Sequence, residues 1–162
     1  SVAEVRMLIA AITAKIAKSH HLLDAQAVGN ALYGLQNMTN HPEILALLQV
    51  LGIKIINSRN ELDGQSIGNA LYGIQGFSSD YPEVRVMLSA LTDKIFNATV
   101  LLNAQELGNA IYGLQNMTTE HQEVRSLLQA LTYKLEQCRA EFTSQEIGNV
   151  FFGLQGKCGS SH

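Results

Sequence analysis

An internal repeat constrains this chain more than any other feature. A string reading Gly-Asn-Ala-Leu-Tyr-Gly-Leu-Gln begins at Gly29 and returns, with conservative changes, at Gly68, Gly108 and Gly148. The offsets between successive copies are 39, 40 and 40 residues. Self-similarity at a fixed period of this length is typical of arrays in which each unit packs on its neighbours. We therefore predict a single domain of four repeats, which span about 1–39, 40–79, 80–119 and 120–158.

Each repeat contains two stretches with helical character. The first has apolar residues at spacings of three and four, which predicts one buried helix face; the clearest example is Ile44, Leu47, Leu48, Leu51 and Ile55. The second follows a residue type that caps helices well; these residues are Asp24, Asp63, Asn103 and Thr143. Two-helix repeats of about 40 residues stack into an α-solenoid. The expected fold is therefore all-α, a right-handed superhelix of four two-helix repeats.

The helix ends carry further signals. Ser1, Asn40 and Asp80 each stand three residues before a glutamate, which predicts capping boxes at the starts of the first helices. After each second helix an Asn or a Gly predicts a left-handed residue; these positions are Asn37, Gly76, Asn116 and Gly156. A lysine in the last turn of each first helix would complement the helix dipole; these are Lys15, Lys54, Lys94 and Lys134.

The second helix also carries a polar and aromatic face that repeats. On a helical wheel this face lies opposite the apolar residues that would meet the first helix. Every repeat places one glutamine, one asparagine and one aromatic ring there. The candidate binding residues are therefore Gln26, Asn30, Tyr33, Gln65, Asn69, Tyr72, Gln105, Asn109, Tyr112, Gln145, Asn149 and Phe152.

Two interpretations of this row stay open. The amides either hydrogen-bond across repeats, as buried ladders that fix the register, or they bind a ligand. An amide beside a ring can read a base edge and stack on its face, and the same pair can clamp a peptide backbone. The residue after each glutamine varies and is a candidate specificity position, although it can also complete a capping box; these residues are Ala27, Ser66, Glu106 and Glu146.

Two glycines interrupt every second helix, at Gly29 and Gly34 in the first repeat. A glycine inside a helix costs about 1 kcal/mol relative to alanine, so its recurrence needs a reason. The missing Cβ lets neighbouring helices pack closer than the usual separation of about 8–10 Å. We therefore expect a tight row of second helices on the concave side of the array and a bulkier row of first helices outside.

The second-helix segment resembles the octotricopeptide repeats. The resemblance is clearest in the run from Asn103 to Leu114, which is followed by a short turn and a segment rich in Leu and Ala. It extends over all four repeats. It implies a solenoid that binds single-stranded RNA, about one nucleotide per repeat. It also implies that Gln26, Asn30 and their copies lie on the binding helix. Members of that family act mostly in organelles, so the resemblance implies an intracellular protein, while the sequence itself leaves the compartment unknown.

Composition bears on the remaining function classes. Eleven Lys and Arg stand against 14 Asp and Glu, a net charge of −3, so no strongly basic surface shows in the totals. A scaffold that binds a peptide or protein therefore stays open as the alternative to RNA. No apolar run approaches the ~20 residues of a membrane span. No catalytic or metal-ligating motif appears, so we expect no enzyme, metal or cofactor.

The ends of the chain add three expectations. Cys138 and Cys158 are expected to be reduced thiols, because two cysteines do not make a disulfide framework. Residues 159–162 look like the remnant of an affinity tag. The array has no polar capping repeat, so its ends are expected to expose apolar surface. That surface predicts either further repeats or end-to-end self-association.

Overall fold

The computed structural model describes residues 2–157 of the chain, and these residues contain eight α-helices. The first helices of the repeats are α1 (Ala3–Lys18), α3 (Pro42–Asn57), α5 (Pro82–Asn97) and α7 (Gln122–Gln137), and the second helices are α2 (Ala25–Tyr33), α4 (Gly64–Gly73), α6 (Ala104–Tyr112) and α8 (Ser144–Leu154). No strand occurs in this part, and the expected all-α class is confirmed. Ser1, Cys158 and the tag-like residues 159–162 lie outside the described residues. None of the helices of residues 2–157 has the length and apolar character that crossing a membrane requires.

The helices pack in two rows. The first helices contact each other in chain order, α1 on α3, α3 on α5 and α5 on α7. The second helices do the same, α2 on α4, α4 on α6 and α6 on α8. Neighbours within a row come from successive repeats, as the predicted stacking of two-helix units requires.

A continuous apolar core fills the space between the two rows. The periodic apolar residues of both helices reach it, as expected from the wheel. Leu48 of α3 and Leu71 of α4 are fully buried, and Val28 and Leu32 of α2 are buried with them. Because this core is built by successive repeats, each repeat depends on its neighbours for burial.

The starts of the first helices differ from the prediction. Helices α3 and α5 begin at Pro42 and Pro82, where a missing N–H breaks no helical hydrogen bond. Their N-cap residues are His41 and Tyr81, and neither makes a side-chain capping bond. The capping boxes predicted at Asn40 and Asp80 are therefore wrong, and the one predicted at Ser1 falls outside the described residues.

The side chains expected to cap contact other repeats instead. The Asn40 side-chain oxygen accepts a hydrogen bond from the Ser78 backbone N–H at 3.1 Å. The Asp80 carboxylate lies 3.1 Å from His121 Nε2, and this hydrogen bond lowers the pKa of Asp80. These partners are about one repeat away along the chain, so local spacing did not reveal them.

The ends of the second helices also differ from the prediction. Among residues 2–157 positive φ occurs at Gly156 alone, at 72°, so the left-handed conformation predicted for Asn37, Gly76 and Asn116 is wrong. Gly76 is needed for close approach, because a Cβ there would lie 2.2 Å from the Met38 carbonyl oxygen. The Asn116 side chain donates to the Gln75 carbonyl of the preceding repeat at 2.7 Å.

The lysines near the ends of the first helices join successive repeats. Lys134 is buried, and its Nζ donates to the carbonyls of Ala98 and Val100 in the preceding repeat. Desolvation by this burial lowers the pKa of Lys134. Lys54 and Lys94 donate to the corresponding carbonyls one repeat back. Their place in the last turn is as predicted, but their ammonium groups are engaged between repeats.

Candidate ligand-binding face

All of the predicted binding residues lie on one side of the second-helix row. The glutamines of all four repeats are exposed, and the asparagines and rings are exposed or half-buried. We call this surface the amide face, which comprises Gln26, Asn30, Tyr33, Gln65, Asn69, Tyr72, Gln105, Asn109, Tyr112, Gln145, Asn149 and Phe152. The structure therefore brings the predicted set together on an open surface.

The start of each second helix sets the orientation of this face. The Asp24 carboxylate accepts the Ala27 backbone N–H at 2.7 Å, and Asp63 accepts the equivalent N–H of Ser66 at 2.7 Å. The predicted caps at these two positions are confirmed. From a start fixed in this way, the glutamine, asparagine and ring follow at spacings of four and three residues, which is one face of a helix.

The amides of this face are not paired with one another. Within residues 2–157 its eight Asn and Gln side chains make no hydrogen bond to the chain, and solvent reaches them. One amide–amide bond between repeats does occur, but on the neighbouring flank, where Gln115 Nε2 donates to Gln75 Oε1 at 3.1 Å. The predicted ladder therefore does not form on the amide face within residues 2–157, and its donors and acceptors stay free for a ligand.

The aromatic residues form a continuous stack along the row. Ring centroids lie 5.9 Å apart between Tyr33 and Tyr72, 5.4 Å between Tyr72 and Tyr112, and 5.1 Å between Tyr112 and Phe152. The interplanar angles of 16–25° are those of offset stacking. A base inserted between two rings needs at least about 3.5 Å to the ring on each side, more than these gaps provide. Tyr72 and Tyr112 therefore present their edges, while their faces are covered by neighbouring rings.

The glycine that follows the ring in the second, third and fourth repeats is what brings the rings together. A Cβ on Gly73 or Gly113 would lie 1.9 Å from a carbonyl oxygen of the preceding second helix. The same distance at Gly153 would be 2.0 Å. The close approach predicted for these glycines is confirmed, and it places equivalent side chains of successive repeats within stacking distance.

Two grooves run along the amide face, and neither is lined by a lysine or an arginine. The larger has a volume of about 410 Å³ and is lined by Asn, Gln and Tyr side chains of all four repeats. The smaller, of about 220 Å³, lies between α4 and α6 and contains one charged side chain, Glu106. The electrostatic character of the face is therefore neutral to acidic.

The sequence matches no family model, no curated protein and no solved structure. The resemblance to octotricopeptide repeats accordingly stays a prediction. Within residues 2–157 no group of His, Cys, Asp and Glu side chains is placed to hold a metal ion.

Two of the four variable positions beside the glutamines complete capping boxes. The Glu106 and Glu146 carboxylates accept the backbone N–H of Asn103 and Thr143 at 2.8 and 2.9 Å. Bonds from Thr143 also lower the pKa of Glu146. The capping interpretation is confirmed at these two positions, and Ser66 is buried. A role in specificity stays a prediction for all four positions.

Sequence reasoning missed one residue of this surface. Asn103 lines the smaller groove, where its neighbours are Gln65 and Gln105, in addition to capping α6. The sequence marks Asn103 as a cap and gives no second signal. Its place at the groove follows from the packing of α4 against α6, which leaves the start of α6 at the edge of the amide face.

Proposed function

We propose that the amide face binds an extended polypeptide segment of a partner protein. The observation that carries this proposal is the row of exposed, unpaired amides in a groove free of cations. Each Asn or Gln side chain offers both an N–H donor and a carbonyl acceptor. An extended peptide backbone has the same two groups to pair at every residue.

The period of the face suits such a segment. Equivalent rings are 5.1–5.9 Å apart along the row. Two residues of a polyproline-II segment advance by about 6 Å, and two residues of a β-strand by slightly more. A segment that advances by two residues per repeat therefore meets an equivalent amide and ring edge at each step. The proposal places the amide face on the concave side of a right-handed superhelix.

Single-stranded RNA, which the resemblance implies, stays a competing prediction. Amides also read base edges, but affinity for a nucleic acid depends mainly on cations that contact its phosphates. The grooves of the amide face have no such cation, and Lys54, Lys94 and Lys134 are engaged between repeats. The geometry therefore favours the peptide.

Selection from two random libraries tests the proposal. The chain is presented in parallel with a displayed random-peptide library and a random RNA pool. We expect peptides to be enriched and RNA not to be. Enriched RNA whose binding weakens with salt would overturn the proposal in favour of the resemblance, and so would the absence of any enriched peptide.

A double variant then locates the binding surface. Asn69→Ala with Asn109→Ala removes two amides from the centre of the amide face, and each hydrogen bond is worth about 1 kcal/mol. We expect the Kd of a selected peptide to rise roughly 10- to 100-fold. The matched control is Gln49→Ala with Gln129→Ala, which removes two exposed amides from α3 and α7. Equal loss of binding in the two double variants would contradict the assignment of the site.

A further inference from the structure

The N-terminal end of the array exposes a surface that is buried in every later repeat. Leu8 of α1 is 60% exposed, whereas Leu47 and Met87, its equivalents in α3 and α5, are 8% and 0% exposed. Val5 and Ile12 are exposed in the same way. In the later repeats these positions pack on the preceding repeat, so the first repeat presents half of an internal interface.

The C-terminal end presents the other half. Phe151 of α8 is 71% exposed, whereas Leu71 and Ile111, its equivalents in α4 and α6, are 0% and 5% exposed. Ile147, one turn earlier, is 47% exposed. In the earlier repeats these positions pack on the repeat that follows.

The end glycines show the same complementarity. A Cβ on Gly34 would meet only carbonyl oxygens of its own helix, at 3.4 and 3.5 Å. A Cβ on its equivalents Gly73, Gly113 or Gly153 would instead clash with the backbone of the preceding repeat. A Cβ on Gly148, the last member of the other glycine series, would meet nothing within 4 Å. Both ends thus keep the glycines that a neighbouring repeat needs.

Polar groups at the two ends match as well. Lys94 and Lys134 each donate to two backbone carbonyls of the preceding repeat. Lys15 occupies the same position in α1, and its side chain is exposed. At the other end Cys138 and Ala140 occupy the positions whose carbonyls accept these bonds in earlier repeats. The donor on one end therefore has its acceptors on the other.

We propose that the N-terminal face of one copy docks on the C-terminal face of a second copy, in the register of the internal interfaces. The occupant is a second copy because each end lacks what the other supplies: apolar side chains, glycine clearance and a lysine with its acceptors. Such a contact is heterologous and leaves a free face at each end, so association continues into longer rods. The amide faces of successive copies then form one row.

Sedimentation velocity over roughly a thousandfold range of protein concentration tests the proposal. We expect the mass of the wild-type chain to rise steadily with concentration. Leu8→Glu blocks one face, Phe151→Glu blocks the other, and each variant alone should stay monomeric. Both residues are exposed in the single chain, so neither change opposes folding. The control is Leu101→Glu, which places the same charge at an exposed site between α5 and α6 and should associate like the wild type.

A mixture of the two blocked variants is the decisive sample. Each retains the face that the other lacks, so the mixture should form a complex of one copy of each and stop there. A symmetric contact between two N-terminal faces predicts instead that Phe151→Glu associates normally and that mixing changes nothing. That result, or a wild-type chain that stays monomeric over the whole range, would overturn the proposal.

Gly34→Ala tests the register of the contact. Gly34 has right-handed helical φ and ψ of −60° and −19°, so alanine fits in the single chain. In the docked register its Cβ would meet a carbonyl oxygen of the second copy, as a Cβ on Gly73 would meet that of Leu32. We expect at least about a tenfold rise in the Kd of association. Unchanged association of this variant would show that the copies do not dock in the internal register.

Discussion

At the scale of single residues, the lysine near the end of each first helix makes different contacts in different repeats. Lys134 is buried and bonds two carbonyls of the preceding repeat, whereas Lys15 has no preceding repeat within the described residues and is exposed. Both stand in the last turn of a first helix. Their helix-dipole contributions are therefore similar, and the difference between them isolates the contact between repeats.

Lys134→Met should lower the free energy of unfolding by about 1–3 kcal/mol, because it leaves buried carbonyls without a donor. Lys15→Met should change it by less than about 0.5 kcal/mol, as is usual for an exposed side chain. Urea unfolding of the two variants and the wild type measures both values. Equal destabilisation by the two changes would show that the bonds of Lys134 between repeats contribute nothing beyond the dipole.

At the scale of helices, the second-helix row is set by backbone contact. Gly113 and Gly34 have nearly identical dihedral angles, with φ of −59° and −60° and ψ of −18° and −19°. They differ in what surrounds them, since a Cβ on Gly113 would lie 1.9 Å from the Leu71 carbonyl oxygen. The glycine at this position therefore contacts the preceding second helix inside the array and contacts no other repeat at the N-terminal end.

Gly113→Ala should lower the free energy of unfolding by about 1–3 kcal/mol, the usual cost of overpacking, because α4 and α6 must move apart. Gly34→Ala should leave it unchanged or raise it by up to about 1 kcal/mol through helix propensity. Thermal or urea unfolding at a concentration low enough to keep the chain monomeric measures both. A Gly113→Ala variant as stable as the wild type would mean that the row tolerates a wider spacing.

At the scale of the whole molecule, burial is uneven along the array. The repeats in the middle are covered on both sides, and the terminal ones on one side only, as the exposure of Leu8 and Phe151 shows. In arrays of this kind the stability of a repeat is the sum of its own folding and its interfaces with its neighbours. The central helices should therefore open less often than those at the ends.

Amide hydrogen exchange tests this gradient. In dilute protein we expect the protection factors of α1 and α8 to be at least about tenfold lower than those of α4 and α6, because local opening follows the number of buried contacts. Uniform protection along the chain would show that the array opens as one unit. If copies dock head to tail, protection in α1 and α8 should rise with protein concentration while that of α4 changes little.

The sequence alone established the two-helix repeat, the buried faces and the composition of the amide face. These features depend on helical periodicity and on local capping, as at Asp24 and Asp63, and both act over a few residues. The same reasoning failed at Asn40, Asp80 and Asn116, whose bonds reach a neighbouring repeat. An Asn or Asp side chain can hydrogen-bond either within its own helix start or turn or to a neighbouring repeat, so the residue type alone did not show which partner it has.

Tertiary structure decided how the repeats meet. It engaged Lys54, Lys94 and Lys134 between repeats, stacked the rings from Tyr33 to Phe152 on one another, and left the amides beside them unpaired. The stacking of the rings depends on the distance between second helices, which the glycine contacts set. The spacing between adjacent helices is a property of two surfaces in contact, and the periodicity of either helix alone does not contain it.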